Sequence, residues 1–529
     1  MKGQKNGKLV LLCCIACAVA AAAWLFARPP LEEKDTLVIT MPENDLIRNL
    51  DLNTYTLWLE EKVGVNLEFN MIPETYGADY LEQVFTSGHV KTDIVFADAD
   101  KSNGFFTQES VARLGEMGYL LPLNRFITEG TQMDKVFQSF SDYDLKEYMT
   151  AEGGNIYYFP NMDATAKARF GQTLWLNRSW MQELSILYPQ TTEELHNLLR
   201  AYAESDANGN GQKDEIPLAG PGVVDYLLSS FVYNDPANMR LFVQSGNVKF
   251  APVTPEWRQG VAYLQMLYGE GLISPTALSL SERSFMELAS SPGDFLGGFT
   301  AASIIDVLLP TCADRAIHFA SVSPVKGPGG AAYSTIQIPT PQVGAVISAQ
   351  CDNPEKAYKL LDLMLSEEAF LIAKYGEKDV DWCMASPTDL DSYGQKATIK
   401  VLNPLEGRPQ NKNFSGMGAF YAYSDYADHV TWSGFDPEYL NARAYLTQLE
   451  HVPKESLGLL PLADSDWQEV ERYTEEMLFA FITGEKDITD DTVWQEYLQG
   501  YADRELAGLL IQAQNEYEEL KNWKESNQK

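Results

Sequence analysis

Between residues 35 and 98 the chain alternates short apolar runs with helix-like stretches, and this order leaves few folds open. Residues 36–40 form an apolar run, and residues 53–63 space Leu57, Trp58 and Glu61 along one helical face. Residues 65–69 then alternate as a strand, residues 80–87 read as a helix, and residues 93–98 are apolar inside and acidic at the end. Strand, helix, strand, helix, strand in so short a span calls for a parallel sheet covered by helices. In such sheets ligands sit beyond the carboxyl ends of the strands, which puts Asp98 and Asp100 near a cleft.

The α/β pattern continues. Residues 154–160 are a turn feeding a strand, and residues 173–177 are a second strand. A helix begins at Thr191 and Thr192, whose hydroxyls can cap free amides ahead of Glu193 and Glu194. Further helices are expected over 257–268, stopped by the glycines at 269 and 271, and over 354–365, after which Ser366, Glu367 and Glu368 can cap another. No repeat or low-complexity tether interrupts the chain, so any lobe boundaries must fall where strands cross.

Residues 1–28 read as a targeting segment, with Lys2, Lys5 and Lys8 ahead of an uninterrupted apolar run over 9–27. Everything after it is expected to face outward. The 19-residue run is about long enough to span a bilayer as an uncleaved anchor. Cys17, preceded by Ile15 and Ala16, offers lipid attachment instead, although Cys14 stands where such signals usually carry Leu. Simple cleavage after the alanines is the third option.

The 529 residues, 45% apolar and 12% aromatic, can bury a large core in more than one domain. The net charge of −34, which becomes −38 without the four basic residues of 1–28 (36 basic against 74 acidic), would repel nucleic acid and anionic lipid from the body. Cys312, Cys351 and Cys383 lack any CxxC or Cys/His spacing and read as small buried residues. The five histidines are scattered, and there is neither a GxSxG elbow nor a P-loop lysine, so no nucleophile or phosphate chemistry is indicated.

The sharpest local signal lies at 206–217. Asp206, Asn208 and Asn210 place oxygens at positions 1, 3 and 5, Gly211 permits the sharp turn at 6, and Gln212 offers a backbone carbonyl at 7, as in a calcium loop of EF-hand type. Position 12 departs from the pattern, being Pro217 and not a bidentate glutamate; Asp214 and Glu215 stand ready to close the shell. The alternative is a solvated Asn-Gly turn. Calcium here would be structural, since every good ligand is consumed inside the loop.

Together with that loop, residues 174–181 (LWLNRSWM), 189–195 (PQTTEEL), 265–273 (QMLYGEGLI), 353–357 (NPEKA) and 374–382, ending in Asp381-Trp382, resemble the family 1 extracellular solute-binding proteins. More narrowly, the chain is similar to the large oligosaccharide-binding lipoproteins and the alginate-oligosaccharide-binding proteins. The resemblance runs from about residue 36 to 510. It implies a two-lobe periplasmic-binding-protein-like fold of type II, with a ligand cleft between lobes and hinge strands crossing. Expected boundaries are 35–162 with 293–348 for the first lobe, and 163–292 with 349–525 for the second. It further implies a monomer that captures an oligosaccharide by closing, and delivers it to ABC permease subunits from the outer face of the cytoplasmic membrane. Carried over by position, Trp175, Asn177, Tyr158, Asn161, Trp382 and Trp432, with Asp98 on the first lobe, are the expected sugar contacts, since flat aromatic faces stack on pyranose rings and planar amides take paired hydroxyls. Arg169 near the crossing could serve a uronate. Two other readings remain: a secreted polysaccharide-degrading enzyme with paired carboxylates, and a binding-fold sensor partner of a membrane kinase.

Overall fold

A computed structural model describes residues 35–527, except 74–82, 87–90, 98–105, 170–171, 279–280, 308–314, 406–407, 434–443, 457–464 and the single positions 294, 337, 445, 447, 449 and 455. The expectations for segment 1–28, Cys17, Asp98, Asp100 and Cys312 lie outside the described residues. Among the described residues no helix is long and apolar enough to cross a membrane.

The three strands of the opening pattern and its first helix fold as read; of the helix expected over 80–87 only 83–86 are described, and these are helical. Strand β1 (Asp35–Pro42) pairs in parallel with β2 (Val65–Ile72) and with β3 (Ile94–Phe96). From Leu37 onward both faces of β1 are buried, as expected of a strand inside a helix-covered sheet. The helix Thr54–Val63 between them starts where Asn53 accepts the amide of Tyr55 at 3.0 Å, and it ends at Gly64, whose φ of 76° suits a residue without a Cβ. Three further strands complete a six-stranded sheet in the order β13-β4-β10-β3-β1-β2: β4 (Tyr158–Asp163), β10 (Gln342–Ile347) and β13 (Phe420–Ala422). The returning β10 runs antiparallel to both β3 and β4. Beneath the sheet lies one core, to which the helix Pro354–Met364 contributes Ala357, Leu360, Leu361 and Met364.

A second core forms around β5 (Thr173–Asn177), the middle strand of an antiparallel sheet with β8 (Gly298–Ala301) and β9 (Phe319–Val322). It is extended by the hairpin of β6 (Leu241–Gln244) and β7 (Asn247–Phe250) and by the helices Pro255–Gly269, Ser465–Ile482 and Asp491–Ala502. A third, smaller sheet joins β11 (Trp382–Met384), β12 (Ile399–Val401) and β14 (Val430–Trp432) over a core around Phe370. The C-terminal helix Leu506–Asn527 spans both large cores, with Leu506, Leu509 and Ala513 in the second and Leu520 in the first.

These sheets correct the expected lobe boundaries in two places. β8 and β9, inside the 293–348 stretch assigned to the first lobe, take both edges of β5, with Trp175 opposite Phe299 on one side and Ser321 on the other. The helix at 354–364 and β13, inside 349–525, belong to the first sheet and its core. Apolar strands and helices look alike whichever sheet they join, so sequence spacing alone did not assign them.

Candidate ligand site and calcium loop

β4 carries the chain out of the first sheet, and after nine intervening residues β5 begins in the second. Side chains alternate faces along a strand, so Asn161 and Asp163 point the same way at the exit. Both line a cavity of about 370 Å³ closed by Lys374, Leu405 and the 413–417 turn. The amide of Asn161 donates to the carbonyls of Gly416 at 2.7 Å and Gly418 at 3.1 Å, so it holds the turn that forms the wall. Asp163, Lys374 and Leu405 also border a smaller adjoining space of about 70 Å³, with Thr165 and Trp432 on its far side. Of the residues lining this second space, Thr165 has its hydroxyl and Trp432 its indole N–H buried without hydrogen-bond partners. Unpaired buried polar atoms beside an aromatic ring are what a hydroxyl-bearing ligand would satisfy. Asp428 fixes the exit by accepting the amide of Ala166 on both carboxylate oxygens, at 3.0 and 3.1 Å.

Of the aromatic and amide residues expected to touch ligand, Asn161 and Trp432 therefore border two adjoining cavities that share Asp163, Lys374 and Leu405. Tyr158 does not join them. Its ring is buried in β4 and borders a separate groove beside the helix Gln108–Glu116, and burial drives its hydroxyl pKa far above the ordinary tyrosine range. Trp175 is wholly buried in the middle of β5 and donates its indole N–H to the carbonyl of Ala301 at 3.1 Å. Asn177 is equally buried and is the N-cap of the helix Arg178–Glu183, accepting from Ser179 at 3.1 Å and Trp180 at 3.2 Å. Trp382 packs in the third core, with its N–H on the carbonyl of Gly376 at 3.1 Å. These three are placed as core residues, with no face toward the cavities. Arg169 is also spent, in an ion pair of 2.6 Å with Asp142. Sequence reasoning missed Asp163 and Thr165, although the period of two from Asn161 pointed to them.

The loop at 206–217 closes on itself. Asp206 accepts the amides of Asn210 at 3.0 Å and Gly211 at 2.9 Å, and Gly209 and Gly211 adopt φ of 72° and 79°. Asp214 lies within 3.1 Å of the side-chain amides of both Asn208 and Asn210. Glu215 places one carboxylate oxygen 3.4 Å from the amide of Asn208, while its other oxygen is buried without a partner. Pro217 contributes nothing to the loop because the chain has already joined the second sheet: Ile216 exchanges backbone hydrogen bonds with Phe295 and Gly297 at 2.8 and 2.9 Å. Among the described residues no three His, Cys, Asp or Glu side chains come together as metal ligands, and the loop's oxygen set is mixed, carboxylate with asparagine amide.

No family model matches the chain. It is similar to the fructooligosaccharide ABC transporter substrate-binding protein FusA of Streptococcus pneumoniae, with 26% identity over 273 residues, 49% of this chain and 48% of that protein. The chain thus spans about half the length of the curated relatives it matches. Among solved structures, an HMO-binding ABC-transporter-associated solute-binding protein from Bifidobacterium longum infantis superposes with a TM-score of 0.70 at 17% identity, over 92% of this chain and 99% of that one. The FusA EF-hand mutant in complex with fructo-nystose superposes with a TM-score of 0.69 at 18% identity, over 92% and 100%. The chain therefore has the two-lobe α/β fold of ABC-transporter solute-binding proteins, and about half of its sequence is similar to one of them.

Proposed function

We propose that the protein is the extracytoplasmic solute-binding component of an ABC importer and that its cargo is an oligosaccharide. The observation that carries this reading is the pair of adjoining cavities at the exit of β4, which share Asp163 and are lined by Asn161 on one side and by Thr165 and Trp432, each with a buried unpaired polar atom, on the other. Sugars offer what such a site lacks: hydroxyls for the orphaned donors and a ring face for the indole. Ligand bridging the two lobes would stabilise a closed state, and the permease would recognise that state. The protein would act as a monomer without chemistry of its own, tethered outside the cytoplasmic membrane through its N-terminal segment.

The loop at 206–217 fits calcium. Asp214 already reaches the side-chain amides of Asn208 and Asn210, and the buried oxygen of Glu215 without a partner is one that a cation would satisfy. Asp206, Asn208, Asn210, Asp214 and Glu215, with the carbonyl of Gln212, would hold the ion. Bound there, calcium would offset two of the three carboxylate charges and pin the loop to the second sheet.

Isothermal titration of the full chain with oligosaccharides, followed by mass analysis of the recovered glycan, tests the reading. Binding with intact glycan, weakened by Trp432→Ala, is expected; glycan breakdown would replace it with the enzyme reading.

A further inference from the structure

A second polar cavity, of about 170 Å³, lies in the second lobe just past the crossing, bordered by Gln172, Asp225, Asn234, Asp235, Tyr333 and Ser334. It opens where β5 begins, as the first site opens where β4 ends. A cavity of about 170 Å³ suits one sugar ring.

The lining is built, and it is rich in acceptors. Ser334 is 2% exposed, its amide is spent on the carbonyl of His451 at 3.1 Å, and its hydroxyl has no partner. The side-chain oxygen of Gln172 is also buried and unpaired, over Gly222, where a Cβ would come within 2.7 Å of the glutamine amide. Asp235 is buried, capping Ala237 at 3.1 Å and accepting from Asn238 at 3.1 Å. The nearby cation, Arg240, is turned away from the cavity's needs: it is committed to Asp225 and, at 3.0 Å, to Glu471 of the helix Ser465–Ile482. Among the described residues, a carboxylate-bearing ligand would meet Asp225 and Asp235 with no uncommitted arginine, and like charges at close range repel strongly. A neutral ring would instead give its hydroxyl protons to Gln172 and the aspartates and take one from Ser334.

We propose that this cavity is the second-lobe subsite for one ring of the cargo, and that it selects an uncharged, hydroxyl-rich sugar over a uronic acid. The proposal rests on the oligosaccharide reading above and deepens it. Ser334 and Gln172 set the fit, and Asp225 and Asp235 set the charge.

The test is titration of the full chain against two sets of tri- to pentasaccharides, neutral fructo-, malto- and xylo-oligomers and uronic galacturonate and alginate oligomers. Binding confined to neutral members is expected, with Ser334→Ala weakening the best of them by about five- to twentyfold, the loss of one or two hydrogen bonds. Gln172→Ala, at a half-buried position, gives an independent reading should Ser334→Ala fail to fold. Uronic binding overturns the proposal. Neutral binding that Trp432→Ala weakens but neither Ser334→Ala nor Gln172→Ala touches overturns the subsite alone and leaves the importer reading standing. No binding by either set overturns both.

Discussion

Asp428 holds Ala166 by a forked contact, both carboxylate oxygens lying within 3.1 Å of one backbone amide. The aspartate follows the short helix Ser424–Ala427 and precedes β14, while Ala166 sits in the segment that leaves the first sheet. The contact therefore ties the crossing to the third sheet beside the first ligand cavity. Asp428→Ala leaves the amide without its acceptor and is expected to cost about 1–3 kcal/mol in urea denaturation. It should also weaken sugar binding, because Thr165 moves with the segment.

The two tryptophans of the third sheet should separate stability from binding. Trp382→Ala empties a core position and is expected to lower stability by about 3–5 kcal/mol. Trp432→Ala, at the half-buried rim, should lose binding in titration with a much smaller fall in the unfolding midpoint.

Arg240 is buried between Asp225 and Glu471, so Arg240→Ala leaves two carboxylates near one another without a cation. Loss of about 3–5 kcal/mol is expected in urea denaturation. Burial also pushes the Asp235 and Glu471 carboxyls up to about 6. A folded pKa above the unfolded one means that the folded state holds the proton more tightly, so this contribution favours folding at low pH and is lost as pH rises through about 6. Thermal unfolding at pH 5, 6 and 7 should show a Glu471→Gln variant gaining on the parent chain as pH rises.

Calcium should raise the unfolding temperature and chelator should lower it, as mass action requires of an ion that binds only the folded chain. Asp214→Ala, which removes the carboxylate nearest both asparagines, is expected to abolish that difference in a thermal scan while leaving the secondary structure by circular dichroism intact.

How much of this was legible depended on whether local chemistry or tertiary partners decided the residue. The β1 to β3 order and the caps at Thr191 and Ser366 were readable, since strand period and hydroxyl capping act within a few residues. The turn at 206–217 was readable for the same reason, with Gly209 and Gly211 at positive φ. Trp175 was misplaced because its burial comes from β8 and β9, more than 120 and 140 residues downstream, which take both edges of its strand. Asn177 was read as a ligand amide although Asn ahead of Arg178 and Ser179 is also a helix cap, and the cap prevailed. The second-lobe cavity gathers Gln172, Asp225 and Ser334 from three distant segments, and nothing in their spacing announces the meeting.

Capture of an intact oligosaccharide is open to one decisive experiment: a thermal-unfolding scan of the full chain with calcium present, against neutral and uronic oligosaccharides, with each glycan recovered afterwards. A protein that binds neutral oligosaccharide without cleaving it gains several degrees and returns the glycan unchanged. No shift with any sugar, or fragments recovered in place of the starting glycan, would rule that function out.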